Sequence, residues 1–115
     1  MARCVVSVVI PVYNIAPHLR QCLDSVVAQT LTELELICVD DGSTDESPSI
    51  LAEYASQDDR ITVVTQANGG PGAARNAGLD RASGEYVIFL DSDDWFEPDF
   101  LERMTSRAPQ AGGGG

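Results

Sequence analysis

The segment that decides the fold is Val5-Val6-Ser7-Val8-Val9-Ile10-Pro11, a run of mostly β-branched residues that a proline ends. Apolar residues do not alternate with polar ones in this run, which is typical of a strand that is buried on both faces. Pro11 is expected to end the strand because proline cannot donate a hydrogen bond to a central ladder. The segment therefore predicts a short, buried strand near the start of the chain.

Three further apolar runs predict strands, and segments with helical spacing of apolar residues separate or follow them. The predicted strands are residues 5–10, 34–39, 61–64 and 86–90, and the predicted helices are about 16–29, 48–55, 73–82 and 98–104. The fourth strand, like the first, is expected to be buried. This alternation predicts an α/β fold with a Rossmann-like, doubly wound parallel sheet.

Local signals set the expected ends of helices and of the domain. Ser43-Thr44-Asp45-Glu46 matches a capping box before the second helix, and Gly84 is expected to terminate the third. Residues 106–115, which end in four glycines, carry no core signal. We therefore predict one domain over residues 1–105 and a disordered, glycine-rich tail over 106–115.

The charge of the chain limits its partners. The 115 residues include 18 acidic and 7 basic ones, for a net charge of −11. This balance argues against nucleic acid or an anionic membrane as a direct partner. Phosphate ligands remain compatible with it, because a divalent metal and backbone N–H groups can bind them locally.

Cysteine usage and hydropathy indicate the compartment. The three cysteines, Cys4, Cys22 and Cys38, are widely spaced in apolar segments, so we expect reduced, core-filling thiols. No run approaches the roughly 18 apolar residues of a membrane span, and no signal peptide is visible. We expect a cytoplasmic protein, with peripheral attachment to the inner face of the membrane as an alternative.

Polar or glycine-rich residues follow each predicted strand. In an open α/β sheet, ligands bind beyond the carboxyl ends of the strands, where the strand order reverses. If the strands are ordered 3-2-1-4, Tyr13 and Asp91 would lie on opposite walls of one crevice. The segments that follow the four strands are Pro11 to Asn14, Asp40-Asp41, Asn68-Gly69-Gly70 and Asp91 to Asp94.

The strongest of these signals is Asp91-Ser92-Asp93-Asp94. Closely spaced carboxylates after a strand can share one hard divalent cation with phosphate oxygens. The alternative is a solvated acidic turn. An EF-hand loop is excluded because Trp95 occupies its fifth position and no glycine holds the sixth.

The other segments each permit two interpretations. Asp40-Asp41 is either a capping turn or an acceptor for the imide N–H of a uracil-like base. Tyr13 either packs locally or borders such a base. The Asn68 loop is a weak match to a phosphate cradle at a helix start, and Arg75 either pairs with a diphosphate or is simply exposed.

Together, the motifs resemble those of family-2 glycosyltransferases, in the same order and over about residues 5–104. Each motif alone is unspecific, but the ordered set is very specific. The matching stretches are Val8 to Asn14, Val39 to Asp45, Asn68-Gly69-Gly70 through Ala73 to Gly78, and Phe89 to Asp94.

This resemblance implies a GT-A fold that binds a nucleoside-diphosphate sugar, often a UDP-sugar, with Mn²⁺ or Mg²⁺. It implies a glycan acceptor and a role in polysaccharide biosynthesis. The implied base and ribose contacts are Pro11, Val12, Tyr13 and Asp41; Asn68 and Arg75 would lie near the base or diphosphate. Asp91 would lie near the ribose or metal, Asp93 is the expected direct metal ligand, and Asp94 is close by.

The chain also departs from the family pattern. Family members continue into an acceptor-binding half that supplies a catalytic base for inversion, whereas no acidic residue follows Glu102 here. We therefore expect a truncated, donor-binding portion with exposed apolar surface. The alternatives are a non-catalytic nucleotide-binding or interaction module and, third, a phosphatase-like hydrolase that uses Asp91 or Asp93 as nucleophile.

Overall fold

The computed structural model describes residues 4–107, in which four strands alternate with four helices. This alternation confirms the α/β class. The elements are β1 (Val6–Val12), α1 (Ala16–Val27), β2 (Leu34–Asp40), α2 (Ser47–Gln57), β3 (Ile61–Thr65), α3 (Pro71–Arg81), β4 (Tyr86–Phe89) and α4 (Phe100–Arg107).

The four strands form one parallel sheet in the order β3-β2-β1-β4. Val9 in β1 is level with Ile37 in β2 on one side and with Phe89 in β4 on the other. The chain therefore moves outward from β1 to β3 and then crosses to the opposite side of β1 to add β4. This is the 3-2-1-4 order that was assumed for the crevice, and it places the switch point between β1 and β4.

The two faces of β1 pack into separate apolar clusters. Val8 and Ile10 face a cluster that includes Leu23 of α1 and Leu101 of α4. Val9 faces the other way, into a smaller cluster with Ala74 of α3 and with residues of β2. Helices therefore cover both faces of the sheet, and the prediction that the first strand is buried on both faces is confirmed.

The prediction that Pro11 ends the first strand was wrong. β1 continues to Val12, and Pro11 is level with Val39 of β2. The reason is that β4 pairs with β1 only as far as Val9, so the ladder at Pro11 is not flanked by strands on both sides.

The prediction that the fourth strand is buried was wrong. Tyr86 and Phe89 are exposed, and Val87 and Ile88 are only half-buried. The reason is position: β4 is the last strand of the sheet, and no strand in the described part of the chain pairs with its outer side. An apolar run predicts a strand but does not reveal whether that strand has neighbours on both sides.

The predicted capping box was also wrong. Helix α2 begins at Ser47, with Glu46 at the N-cap position and no side-chain cap. Instead, the Asp45 carboxylate accepts hydrogen bonds from the N–H groups of Ser47 (2.8 Å) and Ala16 (3.1 Å). Pro48 lies in the first turn, as expected.

Gly84 does not end α3, which stops at Arg81. A Cβ at Gly84 would lie 2.7 Å from the backbone N of Ser7, so this glycine is needed for close approach to β1. At the other end, α4 includes residues 106 and 107, which the sequence pattern had placed in the tail. Residues 108–115 of the predicted tail lie outside the described residues, and the domain boundary stays a prediction.

Two further observations concern the cysteines and the helices. Cys4, Cys22 and Cys38 carry free thiols, and the last two are buried. None of the helices within residues 4–107 combines the length and apolar character that crossing a membrane requires.

Candidate functional site

A cavity of about 390 Å³ lies beyond the carboxyl ends of β1 and β4. Its walls come from the β1–α1 loop, the start of α3 and the turn after β4, so it occupies the switch point of the sheet. The predicted site residues that line it are Pro11, Val12, Tyr13, Asp41, Arg75, Asp91 and Asp93, joined by Ile15, Pro71, Ala74 and Ser92. Asn68 and Asp94, which the sequence also predicted as site residues, do not line this cavity.

Asp41 holds the glycine-rich loop against the end of β2. Its carboxylate accepts hydrogen bonds from the side-chain amide of Gln66 and from the N–H groups of Gly69 and Gly70, all at 2.9 Å. The amide of Asn68 approaches it at 3.4 Å. Gln66 and the two backbone donors outweigh the effect of burial and hold the pKa of Asp41 below its usual range.

This arrangement changes the interpretation of Asp41. Four donors from the protein already approach its two oxygens, so the carboxylate acts first as an internal clamp. The side-chain amide of Asn68 also binds the backbone of Asp41, because it donates to the Asp41 carbonyl oxygen at 3.0 Å. Gln66 was missed from sequence, since nothing in the apolar pattern of β3 indicates which polar residue follows it into the site.

The hydrogen bonds from Gly69 and Gly70 to Asp41 position the first turn of α3 at the cavity. Gly70 precedes this helix with a φ of 95°, a conformation that favours glycine, and Pro71 occupies the first turn. Free N–H groups at a helix start favour anionic ligands. The N–H groups of Gly69 and Gly70 already donate to Asp41, and Pro71 has none, so the glycine-rich loop itself is not a phosphate cradle. Only the start of α3 is left for that interpretation, which stays a prediction.

The acidic turn after β4 concentrates negative charge at the cavity mouth. Asp91, Asp93 and Asp94 are exposed, and each offers a carboxylate oxygen within 4.8 Å of the others. Oxygen-only sites of this kind suit hard divalent cations such as Mg²⁺ and Mn²⁺. Arg75 supplies the nearest positive charge, with Nη2 3.8 Å from Asp91 Oδ1. Both side chains are well exposed, so this pair adds little stability.

Helix α1 and the residues that follow it anchor the acidic turn from behind. The Cys22 thiol donates to the Asp91 carbonyl oxygen (3.7 Å), and the Ser25 hydroxyl accepts from the Phe96 N–H (3.1 Å). The Gln29 amide donates to the Glu97 carbonyl oxygen (2.6 Å). Sequence reasoning missed these roles because Ser25 and Gln29 look like solvent-facing residues. Their spacing from Cys22, which keeps Ser25 near the apolar stripe, was the available signal.

The Cys22 thiol is buried and already donates to the Asp91 carbonyl oxygen, so it is not an exposed ligand at this turn. Burial, followed by the charges of Asp94, Asp93 and Asp91, raises its pKa to about 12. Any cation at this turn would meet carboxylate oxygens.

A second, open depression of about 590 Å³ adjoins the first. It shares Arg75 and Asp91 with the first cavity, and Asp94 and the half-exposed Trp95 line it as well. The acidic turn thus separates two depressions, with Asp93 facing one and Asp94 facing the other.

The sequence of the chain is similar to those of known glycosyltransferases. The family described as Glycosyl transferase family 2 matches residues 7–113 of the chain. The glycosyltransferase GlyA of Streptococcus pneumoniae serotype 4 is 48% identical over 99 residues, which make up 86% of this chain and 14% of that protein.

Solved structures show the same fold. TarS of Staphylococcus aureus (residues 1–349, in complex with UDP) superimposes with a TM-score of 0.83 at 34% identity, over 89% of this chain and 31% of that chain. The mannosyltransferase PcManGT of Pyrobaculum calidifontis, in complex with GDP-Man and Mn²⁺, gives 0.75 at 33% identity, over 82% and 29%.

The present chain therefore spans less than a third of each of these proteins. The family match, in contrast, covers nearly all of the described residues, and the four-stranded parallel sheet has the GT-A arrangement of the solved transferases. This chain belongs to glycosyl transferase family 2.

Proposed function

We propose that the whole protein is a metal-dependent, inverting glycosyltransferase, and that the present residues bind its donor, a nucleoside-diphosphate sugar. The observation that carries the proposal is the cavity at the β1/β4 switch point, where Tyr13, Arg75 and the acidic turn meet. TarS has been solved with UDP and with UDP-GlcNAc, which supports a UDP-sugar as the donor.

The cavity offers a different chemistry to each part of such a donor. Pro11, Val12 and Tyr13 form an apolar and aromatic wall that suits a nucleobase and ribose. Asp41 and Asn68 contribute by fixing the loop that leads into α3, and Asp41 also reaches the wall. Arg75, on the first turns of α3, is placed to pair with a diphosphate.

The acidic turn fits a divalent cation by its donor set. Asp91, Asp93 and Asp94 would hold Mn²⁺ or Mg²⁺, with Asp93 as the direct ligand on the cavity side. Such a cation neutralises a diphosphate and stabilises it as a leaving group. PcManGT, solved with GDP-Man and Mn²⁺, supports this pairing of metal and nucleotide sugar.

In this proposal, the acceptor-binding site lies in parts of the whole protein other than the present residues. Inversion needs a base that deprotonates the acceptor hydroxyl, and the carboxylates at the cavity are either clamped, as Asp41 is, or grouped at the metal turn. We assign the base and the glycan-binding surface to parts that the relatives have and this chain does not span. We also propose a cytoplasmic setting in polysaccharide biosynthesis.

Calorimetric titration with UDP tests the donor-site proposal. We expect UDP to bind in the presence of Mn²⁺ and to bind about tenfold or more weakly when the metal is removed. Asp93→Asn should abolish this metal dependence. Asp80→Asn is the matched control, because it removes the same charge from an exposed position on α3.

The proposal has a clear failing outcome. Circular dichroism first establishes that each protein is folded. If the folded wild-type chain takes up no UDP with Mn²⁺ present, the donor site is wrong. If Asp80→Asn loses the metal response as fully as Asp93→Asn, general charge and not the acidic turn explains it.

A further inference from the structure

We propose that Asn14 is a positioning residue that holds Tyr13 at the wall of the cavity. This inference rests on the nucleotide-binding function proposed above and deepens it. Tyr13 is 51% exposed, so packing alone fixes its ring weakly. The position of the ring must therefore come largely from the backbone on either side of it.

The backbone at Asn14 takes an unusual conformation. Its φ is 49°, and it is the one non-glycine residue of the described chain with a positive φ. Asparagine tolerates this left-handed region better than most residues, although glycine adopts it more freely. The turn separates the end of β1 from the start of α1 and leaves Tyr13 at the cavity while Asn14 contacts the β2–α2 loop.

Asparagine provides what glycine could not, a side-chain acceptor. Its Oδ1 accepts hydrogen bonds from the Thr44 N–H (2.7 Å), the Asp45 N–H (3.2 Å) and the Thr44 hydroxyl (3.4 Å). In return, the Asn14 N–H donates to the Ser43 hydroxyl oxygen at 3.0 Å. One residue therefore joins the β1–α1 loop to the β2–α2 loop in both directions.

The next two residues extend this junction. The Ile15 N–H donates to the Ser47 hydroxyl oxygen (3.2 Å), and the Ala16 N–H donates to the Asp45 carboxylate (3.1 Å). On the other side of Tyr13, the Val12 carbonyl oxygen accepts from the Asp41 N–H at 2.8 Å. Tyr13 is thus flanked on both sides by backbone that is bonded to the β2 end of the site.

This geometry predicts that Asn14 affects nucleotide affinity through Tyr13. Asn14→Gly keeps the allowed φ and removes the acceptor, whereas Asn14→Asp keeps both. We expect Asn14→Gly to weaken UDP binding about five- to tenfold in the presence of Mn²⁺, because the loss of the bridging bonds lets the ring move. Asn14→Asp should remain within about twofold of the wild type.

A double-mutant cycle separates positioning from a general structural effect. In a Tyr13→Ala background, Asn14→Gly should change UDP affinity by less than about twofold, since no ring is left to position. Ala52→Gly, at an exposed position of α2, lowers helix stability without touching the loops and should leave UDP affinity unchanged. Ser43→Ala, which removes the acceptor of the Asn14 N–H, is a milder second variant if Asn14→Gly does not fold. The loss of UDP affinity that Ser43→Ala causes should also disappear in the Tyr13→Ala background.

The possible results distinguish a failure of this inference from a failure of the proposed function. If wild-type protein binds UDP and Asn14→Gly binds it equally well, the inference is wrong and the donor site stands. The inference is also wrong, with the donor site intact, if the losses from Asn14→Gly and Tyr13→Ala simply multiply. If the folded wild-type chain does not bind UDP at all, the proposed function fails and this inference fails with it.

Discussion

Asp41 is 3% exposed, and its carboxylate accepts hydrogen bonds from Gln66, Gly69 and Gly70. These donors favour the charged form and hold its pKa below the usual value. A carboxyl group whose pKa is lowered on folding stabilises the protein fully above its unfolded pKa, about 3.9. That contribution disappears as the pH falls through the lower, folded pKa.

Replacing Asp41 should therefore lower the stability of the fold and also weaken the dependence of that stability on pH. Asp41→Asn puts an amide against the backbone N–H groups of Gly69 and Gly70, and we expect the free energy of unfolding to fall by about 1–3 kcal/mol at pH 7. The deficit should shrink as the pH falls below about 4, where the wild type loses the same interactions. Urea unfolding between pH 2.5 and 7 measures this. A deficit that stays constant over this range would contradict the clamp.

The cysteines provide an independent test of the core. Cys22 and Cys38 are buried, and burial raises the pKa of both thiols, that of Cys22 to about 12. Both burial and the raised pKa values keep these two thiols in their unreactive, protonated form. We expect a thiol reagent to modify Cys4 quickly in the folded chain and the other two only in denaturant. Fast labelling of three thiols without denaturant would show that the α1 packing is wrong.

Among the elements, α3 depends on small residues at its contact with the sheet. A Cβ at Gly78 would lie 2.3 Å from Cγ1 of Val9, whereas a Cβ at Gly72 would meet nothing within 4 Å. Gly78→Ala should lower the free energy of unfolding by about 1–3 kcal/mol, because α3 or β1 must shift. Gly72→Ala, in the same helix, should be neutral or stabilising by up to about 1 kcal/mol. Equal effects in urea unfolding would refute this close packing.

The same elements show what the sequence could predict. The strands and the glycine-opened helix follow from apolar runs and from the glycines around Pro71, which act locally. Pro11 misled, because β1 continues to Val12. The order of the strands was only assumed, since no local signal determines it. The contacts of Asn14 and Gln29 could not be predicted, because their partners lie about 30 and 70 positions away in the chain. Gly84 misled for the same reason: its constraint is the distant Ser7 and not the end of its own helix.

In the candidate site, sequence reasoning identified residue types better than their contacts. Tyr13 and Asp91 both line the cavity, as expected for the strand order 3-2-1-4, and Arg75 and Asp93 line it as well. Asn68 instead turns toward the Asp41 carbonyl oxygen, which no local pattern could indicate. Long-range hydrogen bonds decide such orientations, and they depend on the finished fold.

For the molecule as a whole, two features act in opposite directions on association. The outer side of β4 is unpaired in the described chain, and Phe89 and Trp95 are 44% and 50% exposed beside it. An open apolar edge promotes association between chains. The net charge of −11 opposes it, because every copy repels the others. Salt screens this repulsion, with a Debye length of about 10 Å at 0.1 M and about 3 Å at 1 M.

Salt should therefore drive self-association through the β4 edge. In sedimentation velocity, we expect the 115-residue chain to associate more strongly in 1 M than in 0.05 M NaCl, because screening removes the charge repulsion and leaves the apolar edge. Phe89→Lys should suppress this association, since a charge at an exposed strand edge disfavours pairing. Leu79→Lys adds the same charge at an equally exposed residue (48%) on α3 and should have a smaller effect. If both variants suppress association equally, net charge rather than the open edge governs it.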